Sequence, residues 1–203
     1  NMLSADEPVR LAHNAHKARF NLHDAIVVGV VAEDTPAGVF TPDTLKRVHE
    51  VTAFAKTVEG VIAADVMSPS TVDDMKNGGA GVVQFDYLMP EPPKTEAEAQ
   101  ALSQRIKRQP FLDGTLVSEN GKALAIYVPI ADKHMAHEVT EAIRAKIESM
   151  GSGDADWHFA GLPVAEDTFG LEMFKQMAIT APAAMAVIFL LMWVFFRKVI
   201  VIV

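Results

Sequence analysis

The 203 residues include 18 basic and 26 acidic side chains, a net charge of −8, and no cysteine. That length allows one or two domains with a real core, while the missing thiols exclude disulfides and thiolate metal sites. All 26 acidic residues precede Ala178, and Arg197 and Lys198 are the only charges after Lys175, so residues 1–177 carry a net charge of −10. An acidic body lacks the basic face that phosphate contacts require, which argues against nucleic acid and against docking on anionic head groups. The chain opens Asn1-Met-Leu-Ser4 without a signal-peptide pattern and is expected to be cut from something longer.

Residues 1–20 are polar with scattered Leu, Ala and Val and predict a helical lead-in. The run Ala25-Ile-Val-Val-Gly-Val-Val31 predicts a strand covered on both faces, because it is almost continuously apolar. Thr41 as N-cap, Pro42 at the first helical position and Asp43 in the first turn open a helix. Its stripe of Leu45, Val48, Val51 or Thr52, and Ala55 ends before Gly60, and Val61–Val66 predicts a second strand.

Residues 68–121 read as an insertion. Ser68-Pro-Ser-Thr71, Asn77-Gly-Gly-Ala-Gly81, Pro90, Pro92 and Pro93 break regular structure, and Val82–Leu88 forms a short strand or helix between them. Thr95-Glu-Ala-Glu98 is a capping-box pattern opening a helix that ends before Pro110. Thr115–Ser118 and Lys122–Ile130 flank Glu119-Asn-Gly121, a hairpin signal because Asn-Gly accepts positive φ. A strand over Ala123–Val128 leads to a helix over about Lys133–Met150, with Val139, Ile143 and Ile147 on its apolar face and Gly151 or Gly153 closing it. Asp156-Trp-His-Phe-Ala160 is the last predicted strand. Strand, helix, strand thus occurs twice, which predicts an α+β, ferredoxin-like (split β-α-β) domain over residues 21–177.

The end of the chain differs in kind. Ala178–Phe196 is 19 residues without a charge, with Thr180 the only hydroxyl. As a helix it spans about 28 Å, close to a bilayer's hydrocarbon thickness, whereas buried core helices more often have shorter apolar runs. Pro182 is expected in the first turn or so, where a missing N–H costs least. Trp193 suits an interface, and Arg197 and Lys198 form a basic stop that places this end in the cytoplasm by the positive-inside rule. The transmembrane helix is therefore set at residues 178–198, with residues 1–177 outside the cytoplasm. Val199–Val203 then starts a further membrane segment.

Few residues carry chemistry. His13 with His16, and His134 with His137, have the spacing to share a metal, but no third ligand is on the same face, so no metal or cofactor is assigned. Asn77–Gly81 lacks the Gly-Lys-Ser/Thr ending of a phosphate loop and reads as a flexible joint. No nucleophile motif occurs, so the chain is not expected to be an enzyme. Asp73, Asp74, Glu96 and Glu98 read as caps and surface charge. The dispersed methionines read as core and lipid packing. Phe85, Tyr87, Leu88 and Met89 serve equally well as the lining of a hydrophobic substrate path or as core.

Phe40-Thr-Pro-Asp-Thr-Leu45 through Glu59-Gly-Val61, Gln109–Gly121 before the Ala-Ile-Tyr-Val strand, and Ala160-Gly-Leu-Pro-Val164 ahead of the apolar helix occur in this order over residues 20–203. Together they resemble the resistance–nodulation–cell division (RND) superfamily of exporters, above all its smaller MMPL and hopanoid-exporter type. The resemblance implies a bacterial inner-membrane protein of about twelve spans, driven by the proton gradient, with a second equivalent loop in the same chain. Residues 1–177 are then the periplasmic porter-like loop between the first two membrane helices, and the cargo is hydrophobic or lipid-like. A loop this short is unlike that of multidrug or heavy-metal members. The family's proton-carrying acidic residues lie on a later helix, and no acidic residue follows Glu172 here, so none is assigned. A membrane-tethered sensor or binding domain is the alternative; the apolar run resuming at Val199 disfavours it.

Overall fold

A computed structural model describes residues 4, 6–20, 22–77, 83–151 and 153–196. Ten principal elements follow in chain order: α1 (Pro8–Phe20), β1 (Asp24–Val31), α2 (Pro42–Ala55), β2 (Asp73–Asn77), β3 (Val83–Tyr87), α3 (Glu96–Lys107), β4 (Ala123–Ile130), α4 (Ala136–Ser149), β5 (Asp156–Ala160) and α5 (Leu162–Phe196). The protein is mixed α+β, with a small antiparallel sheet and a long apolar C-terminal helix. It divides into two compact units, residues 1–164 and residues 165–203.

In the first unit the sheet order is β4-β1-β5, with β1 antiparallel to both neighbours. Ile26, Val28 and Val30 of β1 are fully buried and join Leu124, Ile126 and Val128 of β4 in one core. The same cluster takes Leu45, Val48, Val51 and Ala55 from α2 and Ala136, Val139 and Ile143 from α4. Trp157 and Phe159 stand opposite Val30 and Val28 in the register and pack against that core, with the Arg144 guanidinium 4.7 Å above the Phe159 ring. The other face of β1, beginning with Val27 and Val31, stays half-buried. The expectation of a strand covered on both faces is therefore corrected. The apolar run is long, but the helices cover only one side of the sheet.

The capped helices form as their sequences dictate. The Thr44 amide donates to the Thr41 hydroxyl at 3.2 Å, and Pro42 fills the first position, where no N–H is needed. The capping box at Thr95 is only half made: the Glu98 amide donates to the Thr95 hydroxyl at 3.3 Å, while the Glu98 carboxylate accepts from the Lys94 amide at 2.7 Å. Gly38 has φ +60°, and its neighbour Val39 donates to the Gly121 carbonyl at 3.0 Å; a Cβ on Gly38 would lie 2.0 Å from that oxygen.

Two predicted strands are corrected. Val61–Val66 is not a strand, because a 3₁₀ turn at Ala63–Asp65 interrupts it and leaves only single bridges, Val61 to Ile130 and Met67 to Tyr127. Ala-Ala-Asp has little to pack on a pleated surface, so the ladder breaks there. Thr115–Ser118 likewise contributes one antiparallel bridge, Val117 to Leu124, ahead of the turn at Gly121 (φ +69°). The insertion holds a second, two-stranded sheet of β2 and β3 that the sequence reading did not anticipate as a hairpin. Asn77 and Val83 end its two strands, and the joint proposed at 77–81 falls mostly outside the described residues.

In the second unit, α5 exposes apolar side chains throughout its length, from Phe169 and Phe174 to Leu190, Trp193 and Phe195. It is the one helix among the described residues long and apolar enough to cross a membrane. Pro182 is corrected: the helix opens at Leu162, so the proline lies inside it and not in its first turn. Arg197, Lys198 and Val199–Val203 lie outside the described residues.

Candidate functional site

The strip Phe85–Met89 is split by the local backbone. Across the hairpin Tyr87 faces Asp73 and Phe85 faces Met75, and strand alternation puts Phe85 and Tyr87 on the same side. They are 63% and 54% exposed. Leu88 and Met89 are buried, because the Leu88 amide is held by the Val72 carbonyl at 2.8 Å and the Met89 amide by the Pro69 carbonyl at 2.9 Å. These bonds close against the turn at Ser68–Thr71, where the buried Ser68 amide donates to the Thr71 hydroxyl at 2.9 Å.

Phe85 and Tyr87 line a cleft of about 730 Å³, together with Asp73, Asp86, Pro90 and Arg105. That size falls within the range of small-molecule sites. The wall is mixed rather than purely apolar: two rings provide flat apolar area, and two carboxylates and a guanidinium provide charge. A second cavity of about 260 Å³ runs along Leu88–Lys94 against α3 and shares Pro90 and Arg105 with the first. Pro90 is tethered from α2, with His49 Nε2 at 3.3 Å from its carbonyl oxygen.

Asp74 holds the hairpin in place, and the expectation that it is surface charge is corrected. The residue is only 6% exposed; Arg105 Nη1 donates to Oδ2 at 3.3 Å and Gln109 Nε2 donates to Oδ1 at 3.0 Å. One carboxylate thus joins β2 to the last turn of α3 and to the residue beyond it, and orients the arginine that walls the cleft. Only half of the signal for this was in the sequence. Val83–Tyr87 alternates apolar and polar residues after a glycine-rich joint, as a strand does, whereas Asp73-Asp-Met-Lys-Asn77 does not alternate.

The other candidates stand apart from this cleft. His13, His16, His134 and His137 are exposed, with His16 edge-on to Phe20 at 6.4 Å between centroids. Among the described residues no three His, Asp or Glu side chains gather to hold a metal. Trp193 is exposed on α5. No protein-family model matches the chain, and no curated protein matches it.

Proposed function

We propose that residues 1–177 form the periplasmic substrate-handling domain of a proton-driven, RND-type exporter of hydrophobic or lipid-like molecules in a bacterial inner membrane. The observation that carries this reading is the succession, in one chain, of an acidic α+β body with an open aromatic cleft and a helix suited to the bilayer. The strand order supports it. Segment 61–67 bridges the edge of β4 opposite β1, which gives the sequence β5-β1-β4-(61–67) with a helix in each crossover. That is the order of a ferredoxin-like sheet with a degraded edge strand, the fold the resemblance implies for porter subdomains. In this reading, proton-driven tilting of the membrane helices is transmitted through the polar start of α5 and changes access to the cleft, a form of alternating access.

The test uses the full-length parent protein in everted membrane vesicles with a fluorescent lipid-like probe. Probe movement should require the proton gradient and should fall at least severalfold in Tyr87→Ala, with unchanged protein level. These 203 residues contribute no cysteine, so with any others in the parent replaced, Glu119→Cys should react with an impermeant maleimide from the outer side of intact spheroplasts. Gradient-independent behaviour with correct topology would leave a tethered binding or sensor domain instead.

A further inference from the structure

The wall of the larger cleft is unevenly charged, and the imbalance traces to one residue. Asp73 opens β2 and stands directly opposite Tyr87 in the register, so the carboxylate and the ring leave the hairpin on the same side. Directly opposite residues hold their Cβ atoms about 4.5–5.5 Å apart. That sets the Asp73 carboxylate beside the exposed rings of Tyr87 and Phe85, all three lining the cleft. Asp73 is itself exposed and makes no hydrogen bond or ion pair with any described residue. The other charges of the wall are already engaged: the Arg105 guanidinium donates to Asp74 at 3.3 Å, and Asp86 has an interaction of its own.

Each class of occupant meets this wall differently. An anion would face Asp73, and it would have to draw Arg105 from Asp74, a carboxylate only 6% exposed that loses by weaker pairing. A wholly apolar molecule would strip water from Asp73 without compensating its charge, which costs free energy. A calcium-like metal ion needs several oxygen ligands, and among the described residues no three His, Asp or Glu side chains gather. An organic cation suits every part of the wall. Its charge meets Asp73, and the carbons around its nitrogen lie against the negative faces of the two rings.

We propose that the cleft binds an organic cation, an amine or quaternary ammonium on an apolar body, with Asp73 as its counter-ion and Phe85 and Tyr87 as its ring faces. In the exporter reading, on which this rests, that cation is the head group of the hydrophobic cargo.

Fluorotyrosine placed at Tyr87 of the full-length parent protein, in uncharged maltoside micelles, reports binding at this cleft by fluorine NMR. The probes are choline, neohexyl alcohol as its neutral isostere, and tert-butylacetate as an anion of similar shape. Choline should move the signal at concentrations severalfold below those the alcohol needs, and tert-butylacetate should not move it. Asp73→Asn should raise the choline concentration for half-saturation about fivefold, the upper worth of an exposed ion pair, and leave the response to the alcohol unchanged. Phe85→Leu keeps apolar area but loses the ring face and should weaken choline binding about threefold, whereas Phe85→Tyr should bind it as the parent does. An unmoved signal overturns the proposal, as does equal titration by choline and the alcohol, preference for the anion, or an Asp73→Asn response equal to the parent's. The two readings fail separately. Loss of gradient-driven transport with choline selectivity kept defeats export and leaves the cation site, whereas transport kept without that selectivity defeats the cation site alone.

Discussion

Replacing Asp74 tests whether the cleft is held by one carboxylate. In Asp74→Ala the hydrogen bonds from Arg105, at 3.3 Å, and from Gln109, at 3.0 Å, disappear. Bonds to a charged group are worth about 1.5–3 kcal/mol each when their partners are left buried. Here the Arg105 side chain is 36% exposed and can regain water, so its share is near the lower value for exposed pairs. A net loss of about 2 kcal/mol follows. Because β2 and β3 form a sheet of their own, this loss should appear as local opening and not as global unfolding. It corresponds to about thirtyfold faster amide exchange, measurable by hydrogen–deuterium exchange on segments 73–77 and 83–88 of the full chain. Asp74→Asn retains an acceptor for Gln109 and should show a smaller acceleration. Unchanged exchange in the hairpin would refute the anchoring argument, and so would an equal acceleration in β1 and β4.

Gly161→Ala should destabilise the first unit by more than 1–2 kcal/mol in denaturant unfolding, since φ is +116° and a Cβ would lie 2.5 Å from the Ala25 carbonyl oxygen. Leu45→Ala removes a fully buried side chain from α2 and should cost about 2–5 kcal/mol by the same measurement. Met185→Arg places a charge within the uncharged part of α5 and should lower membrane insertion by about 2.5–3.5 kcal/mol in a glycosylation-reporter assay.

The elements that the sequence located are those in which local chemistry and burial agree. Thr41-Pro-Asp43 opens α2 because cap, fixed φ and first-turn charge all act within one turn, and the stripe from Leu45 to Ala55 is the face that ends up buried. The two amphipathic helices and three main strands were legible for the same reason. Where pairing is non-local, the sequence was ambiguous. Val61–Val66 is apolar enough for a strand, yet the Ala-Ala-Asp turn within it leaves only two bridges to β4. The aromatic strip shows the limit most clearly. Phe85 and Tyr87 differ from Leu88 and Met89 not in hydrophobicity but in backbone partners: the first pair lies on a hairpin strand, the second is drawn inward by the carbonyls of Val72 and Pro69. No one-dimensional pattern carries that distinction. Asp74 was misread because Asp73-Asp-Met-Lys looks solvated until a distant Arg105 and Gln109 are brought to it.

The misplaced Pro182 has a different cause, since two boundaries were treated as one. The helix starts at Leu162, yet the charge-free segment starts at Ala178, and between them lie Glu166, Asp167, Glu172 and Lys175, the last two paired at 2.8 Å. A helix can cross from a polar to an apolar environment without interruption, because its backbone bonds are satisfied within the segment. A proline inside it removes one N–H and frees the carbonyl four residues earlier, which for Pro182 is that of Ala178. Deep in hydrocarbon that orphan acceptor would have no partner. At Ala178 it stands at the first residue of the uncharged run, the depth at which water and head groups still reach the backbone in the proposed crossing. In the proposed crossing, Pro182 would thus be tolerated by its position relative to the membrane and not relative to the helix end, at the point where the charged half of α5 gives way to its uncharged half.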